Sequence, residues 1–297
     1  MGKIKSVKIV YFSGTGGTTR AAACFDASFR KRGVKTNNLE LTMSAVNRDY
    51  LASDNLKEDL LVLLYPVHAF NAPEPIYKWI DEKADNQTIR AVVISVSGGG
   101  EITPNKACRL ACIKRLEKKG YNIVYEHMLI MPSNVIIGTA YGYALGLLEI
   151  LPLKVDCMVN EILLGIRRRT RPDLLNRLFS KIGELEKPGA RFMGSKMQVS
   201  EACNLCGWCE ANCPLNNITL GCTKPYFSNN CILCMRCIYG CPKRAIMPGL
   251  MKFMAIKEGY NLCDLERIAK VQVPLSKRLP HGFLWKGIRE YLFDSDK

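Results

Sequence analysis

The fold is decided by the stretch Val7-Lys8-Ile9-Val10-Tyr11-Phe12-Ser13-Gly14-Thr15-Gly16-Gly17-Thr18-Thr19, which joins a strand-like apolar run to a turn of glycine and hydroxyl residues. A helical pattern begins at the end of this turn. Backbone N–H and side-chain O–H groups in such a turn can wrap a phosphate, helped by the helix N-terminus. The stretch is not a Walker loop, and Thr19 stands where a dinucleotide fingerprint has its third glycine or alanine. It therefore predicts a phosphomonoester site made of Ser13, Gly14, Thr15, Gly16, Gly17 and Thr18.

Outward from this stretch, residues 1 to 187 alternate β-branched runs with helix-like runs, the pattern of a parallel sheet covered by helices. The sequence predicts a doubly wound α/β fold with five parallel strands, whose ligands bind at the carboxyl ends of the strands. The predicted strands are Val7 to Phe12, Val34 to Leu41, Leu60 to Pro66, Arg90 to Val96 and Asn122 to Met131. The predicted helices are Thr19 to Arg32, Glu74 to Lys83, Asn105 to Lys119 and Asp173 to Glu186.

Two further loops follow predicted strands and are candidates for the same site. One follows the third strand and carries aromatic residues, and the other follows the fourth strand and is rich in glycine. Loops in these positions can cover a planar ring from two sides while their backbone groups bond its edge. The candidate ring-binding residues are Pro66, Val67, His68, Ala69, Phe70 and Asn71 in the first loop, and Ser97, Gly98, Gly99 and Gly100 in the second.

A cysteine pattern occurs twice near the C-terminus. The first copy is Cys203-Asn-Leu-Cys206-Gly-Trp-Cys209-Glu-Ala-Asn-Cys213-Pro214, and the second is Cys231-Ile-Leu-Cys234-Met-Arg-Cys237-Ile-Tyr-Gly-Cys241-Pro242. This C-x2-C-x2-C-x3-C-P spacing is typical of two 4Fe-4S clusters, each taking its fourth cysteine from the other copy. Zinc ribbons and disulfides also use paired cysteines, but three cysteines at two-residue steps before a fourth argue against both. The predicted metal ligands are Cys203, Cys206, Cys209 and Cys241 for cluster one, and Cys231, Cys234, Cys237 and Cys213 for cluster two.

These motifs carry two resemblances. Residues 197 to 248 resemble bacterial ferredoxins with two 4Fe-4S clusters, and the flavodoxin phosphate pattern T/S-x-T-G-x-T is matched by Ser13, Thr15, Gly16 and Thr18. The whole chain resembles a flavodoxin-ferredoxin fusion protein of anaerobic prokaryotes. The resemblance implies an FMN-binding domain and a small pseudo-twofold module with two clusters. Three features depart from it: Gly17, where that family more often has asparagine, the loop His68-Ala69-Phe70, which usually differs in that family, and the extra Cys222.

The chain is expected to divide into four parts. The flavodoxin-like FMN domain covers residues 1 to 187, a linker covers 188 to 196, the ferredoxin-like module covers 197 to 249, and a tail from 250 to 297 packs back on the domains. Ile136 to Ile166 is longer and more apolar than a plain connection. It is expected to pack on the sheet, to dock the module or a second subunit in a homodimer, or to form a lid over the ring.

The predicted function is an electron relay between FMN, two clusters and redox partner proteins. The formal net charge of +15 falls to about +9 once two clusters and a flavin phosphate are counted. Such a surface steers acidic partners such as a ferredoxin or an oxidoreductase. The alternatives are a flavin-dependent reductase of a small molecule and, less favoured, a nucleic-acid-binding protein. The 14 cysteines could suggest a secreted disulfide scaffold, but no leader pattern precedes the first strand, which predicts a reducing, cytoplasmic location. His127 to Leu148 is the only long stretch without charged side chains, and its proline and glycines argue against a membrane span.

Overall fold

The computed structural model describes residues 2–42, 58–83, 89–184, 186–269, 282 and 285–293. Its main feature is one five-stranded parallel sheet with the strand order β2-β1-β3-β4-β5. This order is the flavodoxin-like variant of the doubly wound fold, and it confirms the predicted α/β class. The strands are β1 (Ser6–Tyr11), β2 (Lys35–Glu40), β3 (Leu60–Pro66), β4 (Arg90–Ser97) and β5 (Asn122–Ile130).

Helices cover both faces of the sheet, which explains why the central strands are continuous apolar runs rather than alternating ones. One face packs against α1 (Gly17–Lys31) through Phe25 and Phe29. The other face packs against α2 (Glu74–Lys83) and α3 (Leu110–Lys118). The predicted helix Asn105 to Lys119 is divided: a 3-10 turn covers Asn105–Ala107, and α3 follows.

The long apolar stretch forms α4 (Tyr141–Leu163), which lies beside α1. Its inner side carries Tyr143, Leu147, Leu151 and Val155, all of which belong to the core under the sheet. Four-residue spacing places these side chains on one face of a helix. The stretch therefore packs on the sheet, as the first of its interpretations predicts.

Two helices follow where the sequence predicts one helix and a linker. They are α5 (Leu174–Gly183) and α6 (Glu186–Ser195), so that most of the predicted linker is helical. Asp173 caps α5 by accepting a hydrogen bond from the N–H of Asn176 at 2.8 Å. Pro188 lies in the first turn of α6, where a proline costs no helical hydrogen bond.

The cysteine-rich part has short elements around a core of its own. That core contains Ile218, Met235, Ile238 and Ile246. Two antiparallel pairs, β6 with β9 and β7 with β8, accompany two short helices. The elements are β6 (Gln198–Val199), α7 (Trp208–Ala211), β7 (Ile218–Leu220), β8 (Pro225–Phe227), α8 (Arg236–Gly240) and β9 (Ile246–Met247).

The tail returns to the sheet domain. Leu262 in α9 (Leu262–Ala269) and Ile288 in α10 (Lys286–Phe293) are buried in the same core as α4. The ring of Trp285 stacks on Tyr143 with 5.6 Å between the ring centroids. These contacts bury aromatic side chains on the face of the sheet that α1 and α4 cover.

Candidate functional site

The three candidate loops meet at one edge of the sheet because β1, β3 and β4 are neighbours. The N–H of Phe12 donates to Leu64 at 3.1 Å, and the N–H of Val67 donates to Val96 at 2.9 Å. The chain changes direction across the sheet between β1 and β3, which is the switch point where doubly wound folds bind ligands. The structure thus brings together the Ser13–Thr18 turn, the 66–71 loop and the 97–100 loop.

The Ser13–Thr18 turn is shaped by one glycine and one hydroxyl. Gly16 has φ 92°, a left-handed conformation that favours glycine, and α1 begins directly after it. The hydroxyl oxygen of Ser13 accepts hydrogen bonds from the N–H groups of Gly16 at 3.2 Å and Thr19 at 3.3 Å. The N–H groups of Gly17 and Thr18 lie in the first turn of α1, where a helix supplies no acceptor of its own. These two groups suit a phosphate.

The cysteine-rich part rests directly on this turn. The guanidinium of Arg236 donates to the carbonyl oxygens of Gly14 at 2.9 Å and Ser13 at 2.8 Å, and to Glu40 at 2.8 Å. A Cβ atom on Gly14 would lie 2.5 Å from the carbonyl oxygen of Cys234. Only a residue without a side chain permits this approach, so close packing against Cys234 explains why position 14 is a glycine.

A second contact between the same parts runs through the segment after β5. Asn134 donates to the hydroxyl of Thr15 at 2.8 Å, and its own carbonyl accepts from the hydroxyl of Tyr239 at 2.6 Å. The Tyr239 hydroxyl also accepts from the N–H of Ile256 at 2.9 Å. The turn, α8 and the start of the tail are therefore joined by one hydrogen-bonded chain.

The loop after β3 is a tight turn held by two backbone hydrogen bonds between His68 and Asn71, at 2.9 and 2.8 Å. Its central residues, Ala69 and Phe70, have φ values of 38° and 63°. Residues with a side chain rarely adopt such values, and each costs on the order of 1–3 kcal/mol. Strain of this kind gathers at functional sites, which supports the choice of this loop.

His68 faces the cysteine-rich part. Its ring packs edge-on against Phe12 at a centroid distance of 6.3 Å. Burial lowers the pKa of His68 to about 4, although a hydrogen bond with the backbone of Ile232 acts in the opposite direction. His68 is therefore neutral at pH 7. The cavity between this loop and Ile232 measures about 30 Å³, which has room for water and not for a three-ring flavin.

The glycine-rich loop leaves open space on one side. The hydroxyl of Ser97 accepts from the N–H of Gly99 at 3.2 Å, and a Cβ atom on Gly98 would lie 2.7 Å from Ser133. In contrast, a Cβ atom on Gly99 would meet nothing within 4 Å, and Gly99 is exposed. The loop is thus closed toward Ser133 and open beside Gly99.

A buried ion network that sequence reasoning missed supports this loop from behind. Arg109 is 1% exposed and donates to Glu126 at 2.8 Å, to Ser95 at 2.9 Å and to Thr170 at 2.9 Å. It also forms an ion pair with Glu101, the residue that follows Gly100. A charge in the interior requires such partners, and a lone Arg109 in the sequence offers no signal of them.

Four of the eight predicted ligand cysteines come together in one cavity: Cys203, Cys206 and Cys209 of the first copy and Cys241 of the second. Near Cys237, burial raises the pKa of the thiol well above its usual range, and the thiols of Cys234, Cys231, Cys213 and Cys209 act in the same direction. The neighbours of Cys237 thus include cysteines of both predicted sets, and the division of the eight cysteines into two ligand sets stays a prediction.

Trp208 joins the two copies of the motif. Its ring covers Gly240 so closely that a Cβ atom on Gly240 would overlap it. The contact packs α7 against α8. Cys222, outside the spacing, is exposed in the structure.

Within the described ranges, no group of three or more histidine, cysteine, aspartate or glutamate side chains is arranged to hold a metal ion. The two clusters therefore stay a prediction. Across the same residues no helix, α4 included, combines the length and the apolar character that a membrane crossing requires.

No protein-family model matches the chain, and no curated protein matches it. Solved structures are similar to its sheet domain. A flavodoxin from the domain Archaea is 13% identical, with 53% of this chain and 98% of that chain covered and a TM-score of 0.36. The reduced flavodoxin of Megasphaera elsdenii is 20% identical over 42% of this chain and 85% of its own, with a TM-score of 0.33. Rubredoxin oxygen:oxidoreductase from the anaerobe Desulfovibrio gigas is 14% identical, with 55% of this chain and 37% of that chain covered and a TM-score of 0.39.

These similarities concern the fold alone, and at such TM-scores none carries an argument about function. The strand order and the loops at its switch point define a flavodoxin-like α/β domain on the geometry of this chain itself.

Proposed function

We propose that the chain is an electron-transfer protein that binds FMN at the three loops of its sheet and two 4Fe-4S clusters on its eight motif cysteines. The observation that carries the proposal is the contact of Arg236 and Cys234 with Ser13 and Gly14. Arg236 lies between Cys234 and Cys237 in the second motif. One side chain therefore ties the loop of a predicted cluster to the predicted phosphate turn.

The residues of the turn fit the phosphate end of FMN. The first-turn N–H groups of Gly17 and Thr18 point out of the helix start, and the positive end of the helix dipole favours an anion. No basic side chain is required for such a site, which agrees with a phosphomonoester held by backbone groups. The flavin ring would bind in the open space beside Gly99.

The cysteines fit cubane clusters better than single ions. A cubane binds its four thiolates through four different iron atoms, so the sulfurs need not converge on one point. The cavity lined by Cys203, Cys206, Cys209 and Cys241 draws ligands from both copies of the motif, as crossed ligation requires. Burial opposes loss of the protons from the cysteine thiols, and iron binding would displace these protons.

When bound, the flavin exchanges one or two electrons and each cluster exchanges one. The protein's own part is to hold the two kinds of site together. Arg236, Tyr239 and Asn134 fix the cluster-two motif against the phosphate turn. Transfer inside one chain then needs no encounter by diffusion, and partner proteins would supply or remove electrons.

The alternative of a reductase with an apolar lid is not favoured. Such a lid would be formed by Ile136 to Ile166, yet most of this stretch is α4, whose inner side packs in the core. A helix held in this way cannot close over a ring beside Gly99.

The proposal is tested on protein purified and kept without oxygen, with iron, sulfide and flavin quantified. We expect about eight irons, about eight sulfides and one FMN per chain. Stepwise reduction should show flavin and cluster bands changing in sequence. Bound zinc in place of iron would overturn the cluster half, and eight irons without flavin would overturn the FMN half.

A further inference from the structure

One side of α5 is apolar and exposed. The exposed fractions are 81% for Leu174, 55% for Leu175, 54% for Leu178 and 50% for Ile182. We name these four residues the α5 face. Their spacing places them on one side of a helix that is about 15 Å long. Scattered apolar residues need no explanation, but four large ones together on one helix mark an interaction surface.

Basic residues border the α5 face. Residues 167 to 184 contain six basic and two acidic side chains. The exposed basic residues on α5 or shortly before it are Arg171, Arg177 and Lys181, whereas Arg169 is ion-paired with Glu117 and Glu126. An apolar centre with a charged rim is the usual composition of a protein interface.

The inner side of α5 contacts the candidate flavin loop. Asn71 donates to the carbonyl of Ser180 at 2.6 Å, and the hydroxyl of Ser180 donates back to Asn71 at 2.7 Å. Phe70 meets Phe179 with 5.9 Å between the ring centroids. A molecule seated on the outer side of α5 is therefore one helix away from Phe70 and Asn71.

We propose that the α5 face is the docking surface for an acidic redox protein that exchanges electrons at the adjacent loop. This inference rests on the proposed electron-transfer function. The basic rim attracts and orients a partner with surface carboxylates, and the four apolar side chains provide the area that such a partner buries.

The test measures binding of the full-length holoprotein to three purified acidic probes, namely a two-cluster bacterial ferredoxin, a flavodoxin and a rubredoxin. Titration calorimetry at about 20 mM and about 300 mM NaCl reports the affinity and its dependence on salt. We expect at least one probe to bind and its affinity to fall roughly tenfold at the higher salt. The triple variant Leu174→Ser, Leu178→Ser, Ile182→Ser and the double variant Arg171→Glu, Lys181→Glu should each weaken binding by roughly tenfold or more.

Matched controls are Leu153→Ser in α4 and Leu250→Ser in the turn after β9, which change leucines that are 63% and 68% exposed. They should bind as the wild type does. Iron and flavin content is measured in every variant. If the proposed function is wrong, the wild-type protein contains no iron or flavin. If only the docking inference is wrong, the protein contains its cofactors and binds the probe, but the α5 variants bind as tightly as the wild type.

Four outcomes overturn the inference. None of the three probes binds the wild type, or the triple variant binds as tightly as the wild type. Alternatively, the protein floats with vesicles containing roughly 30% phosphatidylserine and the triple variant does not. In the fourth outcome, sedimentation shows a dimer of the protein alone that the triple variant dissociates, which would assign the α5 face to a second copy.

Discussion

The Nε atom of Arg236 donates to the carbonyl oxygen of Gly14 at 2.9 Å across 222 positions of the chain. The same guanidinium reaches Ser13 and Glu40. Arginine suits this role because its planar fork serves several acceptors at fixed angles. The pair joins the cysteine-rich part to the loop that begins the flavodoxin-like site, and several expectations depend on it.

Replacing Arg236 by leucine should release the cysteine-rich part from the phosphate turn. The change leaves two carbonyls and Glu40 without their donor, at a cost of about 3 kcal/mol in the free energy of unfolding. It should also weaken FMN binding by roughly tenfold, since the turn loses its support. Urea unfolding and fluorescence titration with FMN measure the two effects.

The matched control is Arg267→Leu, which breaks an exposed pair with Asp264 and should cost less than about 1 kcal/mol in the free energy of unfolding. Equal effects from both variants would contradict this role of Arg236.

Gly14→Ala tests the close approach of Cys234. The new methyl group would meet a backbone oxygen, which cannot turn aside as a side chain can. Overpacking of this kind costs about 1–3 kcal/mol. Gly189→Ala is the control, because a Cβ atom there meets nothing within 4 Å and alanine favours the helix it belongs to. We expect urea unfolding to show a loss for the first variant and none for the second. An unchanged Gly14→Ala protein would mean that the two parts are separated in solution.

The sequence predicts all five strands to within two residues. β3, β4 and β5 are long buried apolar runs, whereas β2 is polar and partly exposed and is marked by Gly33 before it. The sequence places α5 and α6 less well. The turn at Pro188 and Gly189 looks like a helix end, yet Pro188 falls in the first turn of α6, where it is tolerated. Asn134, Tyr239 and Arg236 could not be assigned to the site, because their contacts depend on how two distant parts of the chain dock. The local spacing of each copy predicts which cysteines are ligands, and Cys241 does line a cavity with Cys203, Cys206 and Cys209. The division of all eight cysteines into two ligand sets stays a prediction.

Arg109→Met should destabilise the sheet domain. Arg109 is enclosed by Glu126, Glu101, Ser95 and Thr170. Its removal takes away the buried cation of this network and leaves Glu126 with its contacts to Arg169 and Thr170. Breaking a buried pair in this way costs about 3–5 kcal/mol in the free energy of unfolding. The pair of Arg191 with Glu74 is partly exposed, and Arg191→Met should cost less than about 1 kcal/mol. Similar losses in urea unfolding would show that the buried network contributes no more than a surface pair.

Stability should rise with pH between about 5 and 7 in part because of His127. Burial and the nearby cations Arg168, Arg109 and Lys154 lower the pKa of His127 to about 3. The unfolded chain takes up a proton near pH 6.5 while the native chain does not, so acid favours unfolding in this window. His127→Asn should flatten the dependence of the unfolding free energy on pH between about 5 and 7 by up to one proton. The same slope in wild type and variant would rule out His127 as a contributor.

Cys241→Ser tests the crossed ligation. Cys241 belongs to the second copy of the motif, yet it lines the cavity with Cys203, Cys206 and Cys209. We therefore expect the variant to lose cluster one and to keep about four of its eight irons.

Cys213→Ser should lose cluster two instead. Because the cluster-two motif rests on the phosphate turn, this variant should also lower the FMN content. Cys222→Ser is the control and should keep both clusters, since Cys222 lies outside the spacing. Iron analysis and low-temperature electron paramagnetic resonance of the reduced proteins distinguish the variants. If FMN content falls with Cys241→Ser and not with Cys213→Ser, the assignment of cluster two to the flavin side is wrong.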